Sequence, residues 1–158
     1  RQEADETDAP AVYVIILGLQ RYRMLRRRED EFSFSTDESE TVTPDKAIAM
    51  KDDPAIQLVD IRDIRELWRD GAVPGAYHAP RGMLEFWIAE DSPYTKEVFQ
   101  DPAKTYVFFC AGGQRSILAA DVARTLGLKT AHVAEGFRGW KEAGGPVEAK
   151  ERKPPKAG

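Results

Sequence analysis

The chain has 158 residues, 42% of them hydrophobic, and a formal net charge of −4. That length supports one domain with a core of its own, and the acidic balance excludes a general nucleic-acid binder, which needs a basic face. A single cysteine excludes a disulfide framework, and the two histidines, His78 and His132, have no zinc-ligand spacing, so neither a metal nor another cofactor is expected.

Residues 1–40 read as an N-terminal extension. The first ten are acidic, lack apolar periodicity and are expected to be disordered. The uncharged run Ala11–Leu19 is too short to span a bilayer, which takes about 20 apolar residues. A secretory signal places basic residues ahead of its apolar stretch. Here acidic residues come first, and Arg21, Arg23, Arg26, Arg27 and Arg28 follow. The expectation is a cytoplasmic protein in which this run is an extra strand or helix covering the domain. A membrane-surface anchor, or the remainder of a spanning segment, is not favoured, because Glu29, Asp30 and Glu31 offset the arginines. From Phe32 to Thr41 the chain is polar and rich in serine and acidic residues, which reads as a linker.

The domain is expected over 41–149. Thr43 followed by Pro44 is an N-cap with proline at the first helical position, and Ala47, Ile48 and Met50 give that helix an apolar face. Ala55–Asp60 reads as a buried strand, and Ile64–Trp68 as a helical turn closed by Gly71. Val73–Ala76 is a turn leading to a short extended piece at Tyr77–Ala79. Leu84–Ala89 reads as helix and 93–102 as a connection. Thr105–Phe109 is β-branched and aromatic, as in a buried strand. Ile117–Leu126 has helical periodicity and stops at Gly127. Lys129–Val133 is a further strand, Phe137–Ala143 a last helix ended by Gly144 and Gly145, and 150–158 a charged tail expected to be disordered. Strands alternating with helices predict a three-layer α/β domain with a mainly parallel sheet.

Cys110 follows the Thr105–Phe109 strand and opens the turn Ala111-Gly112-Gly113-Gln114-Arg115-Ser116. An arbitrary lone cysteine is a small buried hydrophobe. Two consecutive glycines change that reading, because a loop whose amides all turn inward needs the positive φ that glycine tolerates. Strand, tight turn and helix would leave the sulfur facing backbone N–H groups at a helix N-terminus, a setting that favours a thiolate. Arg115 would add a fixed positive charge.

Four segments in this order and spacing resemble the rhodanese family of sulfurtransferases: Leu58–Arg62, Gly71–Ala76, Cys110–Ser116, and Glu135–Trp140 with Gly144–Pro146 behind it. The family often has histidine where Ala72 stands, and tryptophan is common in close relatives where Gln114 stands. The resemblance implies that Cys110 carries sulfur as a persulfide. It also implies that Asp60 and Arg62 buttress the loop. Backbone N–H groups of Ala111, Gly112, Gly113, Gln114, Arg115 and Ser116 would stabilise the persulfide, and the Arg115 and Ser116 side chains would orient a small anionic donor such as thiosulfate. With no second cysteine, the acceptor must be an external thiol or a cyanide-like nucleophile. Two rivals stand beside this reading: a non-catalytic rhodanese-like binding module, and a cysteine-dependent phosphatase. Phosphatases of that kind use Cys-x5-Arg, whereas Cys110 to Arg115 is Cys-x4-Arg, a tighter ring that suits one sulfur better than a tetrahedral phosphate.

Overall fold

A computed structural model describes residues 12–16, 20–27, 31–35 and 40–156. Among the described residues there are two sheets. The first is an antiparallel meander of β1 (Val12–Ile16), β2 (Gln20–Arg27) and β3 (Glu31–Ser35), with Val12 opposite Met24 and Arg23 opposite Ser35. The apolar run therefore supplies a strand; its remaining residues, and the first ten, lie outside those described.

The linker expected from Phe32 to Thr41 is corrected at both ends. Phe32 and Phe34 alternate with serines at the period of a strand, a signal hidden by the polar composition around it. At the other end Glu40–Val42 form β4, which pairs with the main sheet.

That main sheet contains β4, β5 (Ile56–Asp60), β6 (Tyr77–His78), β7 (Thr105–Phe109) and β8 (Lys129–Val133) in the order β4-β8-β7-β5-β6, every pair parallel. The helices are α1 (Pro44–Met50), α2 (Ile64–Asp70), α3 (Leu84–Ile88), α4 (Gln114–Thr125) and α5 (Gly136–Glu142). Central strands are covered on both faces, which is why Thr105–Phe109 reads as a continuous apolar run rather than an alternating one. Tyr106 and Phe108 pack with Leu84, Ala119, Ala120 and Ala123 from α3 and α4. Val107 and Phe109 point the other way, to Ala47, Phe137 and Trp140 from α1 and α5. The α/β, three-layer architecture is the one the sequence predicts. No helix among the described residues is long and apolar enough to cross a membrane.

Local signals explain the element ends. Thr43 Oγ1 accepts from the Lys46 amide at 3.2 Å, capping α1. Asp63 and Glu66 form a reciprocal capping box at the start of α2. Ala72 exchanges two 2.8 Å backbone bonds with Glu148, fastening the chain after α5 to the turn that follows α2. Beyond it residues 149–156 have no regular secondary structure.

Asp60 and Arg62 form a buried ion pair at the end of β5, with side chains 2% and 0% exposed. Arg62 Nε donates to both Asp60 carboxylate oxygens at 3.0 and 3.1 Å, and its NH2 donates to Asp60 at 2.7 Å and to the Gly71 carbonyl at 2.9 Å. The guanidinium lies 4.0 Å over the Phe137 ring. The pair braces the end of α2 and the face of α5. Removing one member of such a pair strands the other charge in the core, so Asp60→Ala should lower the unfolding free energy by about 3–5 kcal/mol. Urea denaturation checks this; an unchanged midpoint would show that Arg62 needs no counter-charge.

Candidate active site

Parallel α/β sheets present their sites at the carboxyl ends of strands. Cys110 lies at that end of β7, 1% exposed, while Gly112, Gln114 and Arg115 around it are exposed. The chain turns into α4 sooner than expected: Gly113 is the N-cap, and Gln114, Arg115 and Ser116 form the first helical turn rather than a loop. The reason is the left-handed backbone of Gly113, φ +96°, which redirects the chain within one residue. Of the two consecutive glycines only Gly113 has a positive φ; a Cβ at Gly112 would meet open space. Ser116 continues the buried helical stripe of Ala119, Ala120 and Ala123 back by one step, and that signal could have placed the helix start.

The sulfur receives a hydrogen bond from the Gly113 N–H at 3.1 Å. Its own proton faces Ser116 Oγ at 3.6 Å. Ser116 is fully buried, and its hydroxyl lies 3.2 Å from the Gly113 carbonyl and 3.4 Å from His132 Nδ1. This hydroxyl, read from the sequence as a donor-orienting group, is tied into the interior.

The loop is held from behind by α5. The Phe137 amide donates to the Cys110 carbonyl at 2.8 Å and the Arg138 amide to the Ala111 carbonyl at 3.1 Å, which turns these acceptors toward α5. Glu135 and Gly136 both adopt left-handed backbone, φ +59° and +55°. A Cβ on Gly136 would sit 2.3 Å from the Cys110 carbonyl oxygen. Through Phe137 the Asp60–Arg62 brace reaches the loop indirectly.

Arg115 is engaged differently from the sequence reading. Its NH1 and NH2 donate to Glu66 Oε2 and Oε1 at 2.9 and 2.8 Å, a bidentate pair across to α2. The Arg115 guanidinium holds the Glu66 carboxyl below the usual glutamate range. Glu66 in turn raises Arg115, with Cys110 a lesser contributor. Because the folded value of Glu66 is depressed, the pairing stabilises the domain above the ordinary glutamate range and is lost as pH falls through the lowered value. Sequence reasoning did not single out Glu66, although its place three residues after Asp63 in a capping box was a visible signal. His132 is 5% exposed and connects to Ser116, and Thr41 Oγ1 lies 2.9 Å from its Nε2.

A rhodanese-like domain model matches residues 43–143. The chain belongs to the rhodanese-like family. A mouse protein, thiosulfate sulfurtransferase/rhodanese-like domain-containing protein 3, is 32% identical over 90 residues, covering 54% of this chain and 57% of the mouse chain. This chain thus corresponds to a little over half of that relative. Among solved structures, a Rhodopseudomonas palustris protein of unknown function, described as a possible tyrosine phosphatase, is 51% identical with a TM-score of 0.67, covering 70% of this chain and 85% of that one. A rhodanese-related protein from Thermoplasma volcanium is 25% identical with a TM-score of 0.57, covering 70% and 99%. In this rhodanese-like domain the Glu135–Trp140 segment has a physical role, since its glycine permits the contact that fixes the cysteine loop.

That contact yields a direct test. Gly136→Ala places a side chain in left-handed backbone, at about 1–3 kcal/mol, and forces it against the loop carbonyls, at about 1–3 kcal/mol more. The unfolding midpoint should fall accordingly. Parental stability would mean that α5 does not press on the loop.

Proposed function

We propose that this rhodanese-like domain is a sulfurtransferase that moves sulfane sulfur through a persulfide on Cys110. The observation that carries the reading is the Gly113 N–H aimed at the cysteine sulfur at 3.1 Å from the turn into α4. A preset donor of that kind stabilises negative charge on sulfur without reorganisation during reaction.

In the first half-reaction the Cys110 thiolate attacks the outer sulfur of an anionic donor such as thiosulfate. The Sγ–S bond forms as the donor S–S bond breaks, and sulfite leaves with the electron pair. In the second, an external nucleophile attacks the terminal sulfur and the thiolate is restored; cyanide would leave as thiocyanate, a thiolate as its persulfide. Cys110 is the only cysteine, so no thiol of this chain can resolve the persulfide. The double displacement splits one transfer into two easier steps. Arg115 contributes positive charge at the rim while Glu66 holds its guanidinium, so a dianionic donor competes with Glu66 for the same fork.

The description of the Rhodopseudomonas palustris structure speaks for a phosphatase as the second reading. Against it stands the Cys-x4-Arg ring, one residue shorter than the Cys-x5-Arg of phosphatases of that kind.

The experiment is thiosulfate:cyanide transfer beside aryl phosphate hydrolysis, in the parent and in Cys110→Ser. The parent should transfer sulfur, and the near-isosteric variant should fall to background with its fold intact. Turnover well above background in Cys110→Ser removes the mechanism, and a parent that hydrolyses the phosphate faster than it transfers sulfur moves the phosphatase ahead.

A further inference from the structure

Behind the cysteine runs a chain of polar side chains that the proposed reaction leaves unused. Cys110 Sγ lies 3.6 Å from Ser116 Oγ, Ser116 Oγ lies 3.4 Å from His132 Nδ1, and His132 Nε2 lies 2.9 Å from Thr41 Oγ1. Each member comes from a different element. Ser116 is on the first turn of α4, His132 on β8, and Thr41 on the edge strand β4, where the parallel register sets it directly beside His132. Three of the four are buried and Thr41 is exposed, so the chain runs from the sulfur to solvent.

We propose that His132 is a positioning residue that takes the Cys110 proton through Ser116 and passes one to solvent through Thr41. The inference rests on Cys110 reacting as a thiolate, as in the transfer proposed above. At the start the thiol donates to Ser116 Oγ, the Ser116 hydroxyl turns from the Gly113 carbonyl, 3.2 Å away, to donate to Nδ1 at 3.4 Å, and Nε2–H donates to the Thr41 oxygen. The S–H bond breaks as the serine oxygen takes that proton, and the original serine proton moves to Nδ1. The imidazolium then releases its Nε2 proton past Thr41 to water. Cys110 is left as thiolate, Ser116 as hydroxyl, and His132 as the neutral Nδ1–H tautomer. Ser116 can now accept from Nδ1–H and turn its own proton to the sulfur, adding a second donor to the Gly113 N–H.

The imidazole is suited to being neutral beforehand, because burial lowers its proton affinity below the ordinary histidine value. The elements packed against β8 carry other ionisable groups, each occupied elsewhere. Glu40 on β4 faces Lys46 at 3.5 Å, Asp121 on α4 faces Arg124 at 3.1 Å, and the Tyr106 hydroxyl on β7 donates to the Val98 carbonyl at 2.6 Å. The shift of His132 has burial as its cause, partly offset by a backbone hydrogen bond at Val133.

The test is the rate of Cys110 alkylation by iodoacetamide against pH, which needs no sulfur donor and so reads the relay even if Cys110 carries no sulfur. His132→Gln keeps an amide at the position of Nε2, within reach of Thr41, but cannot exchange protons. It should alkylate about tenfold more slowly at pH 7, less than the 10²–10⁴ of a base in direct contact because the transfer runs through Ser116. The part of the profile that follows imidazole protonation should disappear. Should this variant not fold, Thr41→Val on the exposed edge is read in its place, with a smaller loss in the same direction. A parental profile in the folded variant overturns the relay. A shifted profile in a protein that transfers no sulfur keeps the relay and removes the function proposed above.

Discussion

The site depends on one backbone contact: the start of α5 pressed against the carbonyls of Cys110 and Ala111. Those two carbonyls would otherwise be free to turn toward the sulfur, where a like partial charge opposes a thiolate or persulfide. Engaged by the Phe137 and Arg138 amides, they face the opposite way, and the Gly113 N–H is left to meet Sγ. The approach is so close that no side chain fits at Gly136. Gly139, three residues on in α5, lies close against Pro44 and Glu135, and Gly145 lies against the Trp140 ring, whose Nε1 donates to the Pro146 carbonyl at 2.9 Å. The glycines and tryptophan of this segment are thus one device for docking α5 behind the loop.

Two arginines beside the cysteine loop each face a carboxylate. Arg62 is neutralised by Asp60 and spread over Phe137, and it joins β5, α2 and α5 at the level of the cysteine. Arg115 is neutralised by Glu66, which belongs to the same capping box that starts α2. The first pair is dry and sets geometry. The second is half-open to water, with Arg115 43% exposed, and can exchange partners without unfolding anything.

Much of this was legible from residues alone. The strands Thr105–Phe109 and Lys129–Val133, the Thr43 cap and the position of Cys110 at a strand's carboxyl end follow from local chemistry and strict patterns. What the sequence hid falls into two kinds. Some signals were present but masked: the phenylalanine alternation of β3 by its serines, and the early start of α4 by glycines that look like a longer loop. Other features are long-range and carry no local mark. Glu66 and Arg115 are 49 positions apart, and Thr41 and His132 are 91 apart; only the sheet order brings them together.

The group that Cys110 is proposed to carry is a single sulfur atom. Intact mass measurement of the whole protein after incubation with thiosulfate tests it most directly. One added sulfur per chain is expected, removed by cyanide with thiocyanate appearing in equal amount. An unchanged mass under conditions where Cys110 is reduced and the protein folded would contradict it.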